Sequence, residues 1–298
     1  MPITGWRQVL KRTYAESKED NLGLVAAGVA FYGFLAMAPL LASMVLVYGL
    51  VVTPAEVKVH VQALASIVPA DAAALIEEQL GNAVAGAAGK SGLGLVLALG
   101  LALFGGMKGA GAIITALNVV YEEAETRNLI RLNLARAAIT LGALALAICG
   151  LVAGSMTGYL ERLADGFGPA ASLVSLASWL FTCTLACAFV AALFRYGPDR
   201  DRARWSWLAP GSVFATVGIL AATAGFGVYS ANVGKFNATY GSLGAIVALL
   251  TWLYFSAYTL LLGAELNAEL EHQTARDTTR GPAAPMGQRN ATMADTVA

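Results

Sequence analysis

Long apolar runs alternate along the chain with short polar segments. A helix needs about 20 apolar residues to cross a hydrocarbon core of about 30 Å, and six stretches meet that length. They are Leu22–Val52, Leu93–Val120, Leu134–Tyr159, Ala171–Phe194, Trp207–Ala231 and Tyr240–Ala268. The pattern predicts an all-α, polytopic integral membrane bundle of about six transmembrane helices, with a kink in the first helix at Pro39.

The composition agrees with a lipid environment. Of the 298 residues, 57% are hydrophobic and 13% are charged, whereas soluble domains carry about 25% charged residues. The mean hydropathy is +0.65. A single core cannot hide so much apolar surface, so the surplus must face lipid. The three cysteines fall inside apolar runs, and we interpret them as packing residues.

The positive charges predict the orientation. If the N-terminus lies inside, the inner segments hold fourteen lysines and arginines and the outer loops hold four, with the bias alternating at every loop. Cytoplasmic loops of membrane proteins carry an excess of Lys and Arg. We therefore expect both termini in the cytoplasm.

The first 21 residues are predicted to form a basic amphipathic helix on the cytoplasmic side. One side of this helix carries Trp6, Val9, Leu10, Thr13 and Tyr14, and the other carries Arg7, Lys11 and Arg12. Such a helix can lie on the inner leaflet or dock on the bundle. The sequence favours neither arrangement over the other.

Two further segments lie outside the predicted spans. Residues 54–92 form a long outer loop with two amphipathic stripes, which predict a pair of short helices capping the outer face of the 22–270 membrane domain. Residues 271–298 contain hardly any large apolar side chain. That composition predicts a disordered cytoplasmic tail.

Small residues predict where the helices pack closely, because helix association in lipid depends on close contact. Gly105 and Gly109 are one such pair. Gly150 heads a run of glycines spaced by four in the third span, and Ala221 with Gly225 forms another pair.

Two ionisable side chains fall within the predicted spans. Lys108 lies near the middle of the second span, and Glu265 lies in the inner third of the sixth. Buried charges in membranes mark a pathway, a pair or a cavity, and we hypothesise that these two form a charge pair lining a polar cavity. The other interpretation is that Lys108 snorkels to water while Glu265 sits at the inner interface. Asn118, at the inner end of the second span, is interpreted as a hydrogen-bonding group between helices.

Enzymatic chemistry finds little support in the sequence. His60 and His272 are predicted on opposite sides of the membrane, and no metal-ligand cluster, Ser/His/Asp set or phosphate loop can be assembled. We expect no catalytic residues, metal or cofactor. The arginine-rich turn 195–204 is interpreted as setting topology and contacting anionic lipid, with no nucleic-acid partner.

Several short motifs occur in the order seen in a known family. They include Ala26–Tyr32, Ala116–Tyr121, Trp207–Gly211 and Leu262–Asn267. The positions that match are Asp20, Phe31, Tyr32, Pro39, Asn118, Arg127, Pro210, Gly211, Tyr240, Gly241, Trp252, Gly263 and Glu265. Together they resemble the YihY/BrkB family of bacterial inner-membrane proteins, up to about residue 270.

The resemblance implies six helices, in agreement with the count of apolar runs, and a place in the bacterial inner membrane. Members have carried a ribonuclease label, and some are associated with serum resistance. Our first hypothesis is a transporter or exporter, or a lipid-translocating protein, acting on a small molecule, ion or lipid that the sequence does not name. The alternative is a non-catalytic scaffold for envelope assembly, and a membrane-bound ribonuclease is least favoured. The sequence does not determine the oligomeric state.

Overall fold

The computed structural model describes residues 3–48, 92–163, 169–233 and 242–297. The helices in these ranges are α1 Ile3–Glu19, α2 Leu22–Tyr48, α3 Gly92–Val120, α4 Leu129–Leu163, α5 Pro169–Tyr196, α6 Trp205–Val233, α7 Ser242–His272 and α8 Thr292–Asp295. Each of α2 to α7 contains a segment long and apolar enough to cross a membrane. The predicted all-α bundle with six spanning helices is confirmed.

Some predictions concern residues outside the described ranges. The two amphipathic helices expected within 54–92 lie there, as do the motif residues Tyr240 and Gly241. Where bounds can be compared, the helices extend beyond the predicted runs. α4 starts at Leu129 because the Asn128 side chain accepts the N–H of Arg131 at 2.9 Å, which caps the first turn.

α2 and α3 pack closely through glycines. A Cβ atom added to Gly105 would stand 2.7 Å from Cγ of Pro39, and one added to Gly109 would stand 3.0 Å from Cβ of Ala36. The predicted packing role of this glycine pair is confirmed. Pro39 is therefore both an internal proline of α2 and the group that fills the notch left by Gly105.

α6 and α7 approach even more closely. A Cβ on Gly211 would overlap the carbonyl oxygen of Gly263, so the two backbones touch with no side chain between them. The Asn267 side chain secures the crossing, since it accepts the N–H of Gly211 at 2.8 Å and donates to the carbonyl of Leu208 at 3.1 Å. Further along, the indole N–H of Trp252 donates to the hydroxyl of α6 Thr223 at 3.0 Å.

The other two predicted packing faces are wrong where they can be compared. In the part of the chain that the structure describes, no atom lies within 4 Å of a Cβ added to Gly150 or Gly225. α4 instead meets α5 at Gly142, where an added Cβ would be 2.8 Å from Cε2 of Phe189. Regular spacing of small residues shows that a close approach is possible, but it does not show which face a neighbour uses.

One end of the bundle gathers the polar segments. The connection 121–128 meets 197–204 through Asn118, whose side chain accepts the N–H of Asp199 at 2.8 Å. The residues after α7 join them, because the N–H of Thr292 donates to Glu123 at 2.7 Å. We call this end, formed by α1, the two connections and residues 265–297, the polar end.

The expectation of a disordered tail is wrong for the described residues 273–297. Arg289 is buried, and its guanidinium donates to the carbonyls of Ala284, Ala294 and Ala275. Met293 lies in the main hydrophobic core. The segment is ordered by polar side chains that bond to its own backbone, and a count of large apolar residues does not register such bonds.

α1 docks on the last turns of α7. Val9 is fully buried against Leu266 and Leu270, and the Arg12 guanidinium pairs with Glu269. Trp6, Leu10 and Tyr14, which the sequence placed on the same side as Val9, stay exposed. The structure shows the docked arrangement of the two that the sequence left open.

Candidate functional site

The last two turns of α7 carry four buried polar side chains. Glu265, Asn267, Glu269 and Glu271 are each at most 1% exposed. At about 100° per residue, successive members of this series point to nearly opposite sides of the helix. The end of α7 is therefore enclosed on all sides at the polar end, and each polar group must find a partner inside the protein.

Three of the four have partners, each from a different element. Asn267 bonds to the backbone of α6, as described above. Glu269 pairs with Arg12 of α1, which also donates to Gln273 at 2.6 Å. Glu271 accepts two bonds from Arg200 at 2.7 and 2.8 Å and one from the Thr278 hydroxyl at 2.8 Å.

Glu265 differs from these three. Neither of its carboxylate oxygens has a hydrogen-bond partner among the described residues, although the side chain is as buried as those of its neighbours. An unpaired buried carboxylate is costly, by several kcal/mol in an apolar setting. Since the other three polar groups at this end of α7 are bonded, the unmet bonding capacity of Glu265 is the main anomaly of the site.

The surroundings of Glu265 are acidic. The charged groups that act on it most strongly are Asp20, Glu269, Glu16 and Glu122. The same crowding acts on Asp20 at the α1–α2 junction, where burial, followed by the charges of Glu16 and Glu122, raises the pKa of the carboxyl to about 6.

The buried Tyr121 hydroxyl belongs to the same region and lies next to the side chain of Asn267. Burial raises the pKa of this phenol. The phenol therefore stays neutral and can donate or accept a hydrogen bond.

The hypothetical pair of Lys108 and Glu265 does not form. Lys108 lies on an exposed face of α3 beside Phe104, with its Nζ 5.9 Å from the centre of that ring. The buried faces of α3 carry Gly109 and Ala110 instead. Lys108 thus points away from the bundle interior that holds Glu265.

α7 carries a polar stripe through Glu265. Tyr254, Tyr258, Glu265 and Glu269 lie within about 60° of one another around the helix. The rings of Tyr254 and Tyr258 stack with centroids 6.1 Å apart. The hydroxyl of Tyr254 reaches α2, where a Cβ on Gly23 would lie 3.4 Å from it. The stripe leads from the polar end toward the middle of the bundle.

Asn118 and Arg127 belong to a separate network that ties two connections together. Asn118 donates to Glu125 at 3.1 Å. Arg127 donates to Glu125 at 2.7 Å and to the carbonyl of Gly197 at 2.9 Å. These bonds lower the pKa of the Glu125 carboxyl, with Arg127 contributing most. The partners of the Asn118 side chain lie in the two connections and not on another helix, so the interpretation of Asn118 as an interhelical hydrogen-bonding group is corrected to one that joins the connections.

The remaining motif positions serve packing or face outward. Phe31 and Tyr32 are about half exposed on α2, and their rings contact edge to face. Pro39, Gly211 and Gly263 lie at the close crossings, and Pro210 lies beside Gly211 inside α6. Sequence reasoning missed Glu269, Glu271 and Arg200. The signal was available, since a polar residue occurs at every second position from Glu265 to Glu271 in an otherwise apolar helix.

Comparison with known proteins gives the family. A family model described as "Virulence factor BrkB" matches residues 13–287. The chain belongs to the BrkB family. The match confirms the resemblance drawn from the short motifs, and it continues past α7 into the ordered C-terminal segment.

A curated relative carries a different label. The chain is 26% identical over 173 residues to the Bacillus subtilis (strain 168) protein named "Putative ribonuclease-like protein YfkH". The alignment covers 57% of this chain and 62% of YfkH. No solved structure matches the chain.

Proposed function

We propose that this BrkB-family protein is a transporter of the bacterial inner membrane whose conformational change is coupled to protonation of Glu265. The observation that carries the proposal is the complete burial of Glu265 with no bonding partner for either oxygen. The excess of arginine and lysine in the segments of the polar end supports a cytoplasmic location for that end and for both termini.

The energetics favour a proton as the partner of Glu265. A bare carboxylate at this site would face both desolvation and the repulsion of Asp20, Glu269, Glu16 and Glu122. Within the described residues, no three His, Cys, Asp or Glu side chains are grouped so as to hold a metal ion. Protonation removes the charge without further ligands.

A proton must also be able to reach and leave this carboxyl. The stripe places polar groups on both sides of Glu265 along α7, with Glu269 one turn away and Tyr258 two turns away. Glu265 is closed to solvent in this conformation, so release of the proton requires a second conformation. A carboxyl whose proton occupancy differs between two conformations is the element that ion-coupled transport needs.

The test is proton flux in vesicles of phosphatidylethanolamine and phosphatidylglycerol that contain a pH-sensitive dye. A potassium gradient with valinomycin supplies the driving force, and flux is measured alone and with Na⁺, a quaternary ammonium ion or a short-chain phospholipid added. Wild-type protein should carry protons under at least one condition. Glu265→Gln should abolish that flux, while Glu19→Gln, an exposed carboxyl at the same end, should leave it unchanged.

The proposal fails if wild-type vesicles behave like protein-free vesicles under every condition, or if Glu265→Gln carries protons as wild type does. The name of YfkH motivates a parallel assay of RNA cleavage by the purified protein. RNA cleavage that is retained in Glu265→Gln and absent from a mock purification would favour the hypothesis that the protein is a ribonuclease. We propose that the protein is not an enzyme, and this assay tests that proposal directly.

A further inference from the structure

A groove opens between α4 and α5 at the polar end, away from Glu265. Its volume is ≈ 540 Å³, which falls in the range of about 300–1,000 Å³ typical of small-molecule sites. One part of its lining is apolar and belongs to the membrane-spanning segments. The other part is a mouth of arginines, three from the two connections and one, Arg195, from the last turn of α5.

The apolar walls run along both helices. Leu134, Ala138 and Ile139 of α4 face Phe189 and Leu193 of α5 across the groove. The crossing of Gly142 with Phe189 closes the end of the groove that lies farthest from the mouth. From Leu134 to Gly142 the wall extends roughly 12 Å along the helix, so the groove is a slot that reaches well into the hydrocarbon region.

The mouth carries a net positive charge. Arg127, Arg195, Arg200 and Arg202 line it, and the acidic residue in the lining is Asp199. Arg127 and Arg200 are neutralised by Glu125 and Glu271. Arg195 and Arg202 have no ion-pair partner among the described residues and contact aromatic rings instead, with Cζ of Arg202 4.9 Å from the centre of Tyr196.

Two of the arginines are buried with free donors. Arg195 is 4% exposed and donates one N–H to the carbonyl of Ala203, but its Nε has no partner. The Arg200 side chain is 1% exposed, its Nη1 has no hydrogen-bond partner among the described residues, and its Cζ lies 4.6 Å from the centre of the Tyr121 ring. Buried guanidinium donors that lack a hydrogen-bond acceptor beside a cavity suit a phosphate, whose oxygens accept charge-assisted hydrogen bonds.

We propose that this groove is a binding site for an anionic phospholipid of the leaflet at the polar end. The phosphodiester accepts hydrogen bonds from Arg195 and Arg200 and faces Arg202, while one acyl chain lies in the slot between Leu134 and Phe189. Positive pockets between helices at the membrane interface are suited to such headgroups. The apolar slot distinguishes this ligand from free phosphate, which would use the mouth alone. The proposal does not depend on transport.

The experiment measures retained lipid by native mass spectrometry of the full-length protein in detergent. The probes are phosphatidylglycerol and phosphatidylcholine with identical acyl chains. Arg202→Glu tests the mouth, and Arg131→Glu is its control, because Arg131 is exposed at the same end but does not line the groove. Ala138→Trp fills the slot, and its control is Ala147→Trp, an exposed position on the opposite face of α4.

We expect one phosphatidylglycerol to bind per chain in preference to phosphatidylcholine. Arg202→Glu should weaken the binding of phosphatidylglycerol roughly tenfold, and Ala138→Trp should abolish this binding. Both control variants should bind the lipid as wild type does. Excess inorganic phosphate should not displace the lipid. Equal retention of the two lipids, unchanged binding in Ala138→Trp, or displacement by inorganic phosphate would each overturn the proposal. Thermal unfolding of every variant separates lost binding from lost folding.

Discussion

Glu265 and Glu271 occupy the same end of the same helix and are equally buried, yet their surroundings are opposite. Glu271 accepts three hydrogen bonds, two of them from a buried arginine. Glu265 accepts none and faces other carboxylates. We call the first, with Arg200 and Thr278, the paired site, and Glu265 the unpaired site.

The contrast separates structural charge from candidate functional charge. At the paired site, burial opposes the charge of Arg200, but Glu271 outweighs it and raises the pKa of the guanidinium. The charged Arg200 therefore holds the connection 197–204 to α7 through its bonds to Glu271. The unpaired site holds nothing together in this conformation. A buried polar group that makes no structural contribution is unfavourable for folding, and such groups persist where function requires them.

The largest expected effect comes from breaking the paired site. Glu271→Met leaves Arg200 buried without its counterion, which should lower the free energy of unfolding by about 3–5 kcal/mol. Thermal unfolding in detergent micelles would measure the loss. The double variant with Arg200→Met removes both charges and should recover most of it. If the double variant is no more stable than the single one, the interaction is not the buried pair seen here.

A methionine at the unpaired site should change the free energy of unfolding in the opposite direction. Glu265→Met removes a buried carboxyl that has no partner and should raise the free energy of unfolding by about 1–2 kcal/mol. Leu266→Met on the adjacent position conserves volume and should change stability little. A destabilisation of Glu265→Met as large as that of Glu271→Met would show that Glu265 has a structural partner after all.

Much of the fold follows from the sequence, because lipid imposes a simple rule. Each spanning helix needs one long apolar run, and the six runs from Leu22 to Ala268 correspond to α2–α7. The close packing at Gly105 can also be predicted from the sequence, since helices in lipid use small residues for close contact. Gly150 and Gly225 show the limit of that rule, because spacing does not state which face meets a neighbour.

The site was only half predictable for a similar reason. Glu265 stands out in sequence as an acid inside an apolar run. Its expected partner, Lys108, is the wrong one, because the rotation of α3 about its axis decides where that side chain points, and hydropathy does not report the rotation. The pairing of Glu271 with Arg200, 71 residues apart, depends on how the connections fold over the end of α7.

The smallest expected effect concerns Asp20, one of the carboxylates around the unpaired site. The folded pKa of Asp20 is about 6, against 3.8 for the ordinary carboxyl. A raised pKa means that the folded state favours the protonated acid. The contribution of Asp20 to stability is therefore fully present below about pH 4 and is lost as the pH rises through about 6.

Asp20→Asn removes that loss. Asp20 is half-buried and partly screened by solvent, so we expect the variant to be more stable than wild type by only about 1 kcal/mol at pH 8 and equal to it at pH 4. Thermal unfolding in micelles at both pH values measures the difference, with Asp201→Asn as the exposed control. A gap of the same size at pH 4 and pH 8 would mean that ionisation of the Asp20 carboxyl is not its cause. The charge of Asp20 would then not be part of the crowding that sets Glu265 apart from Glu271.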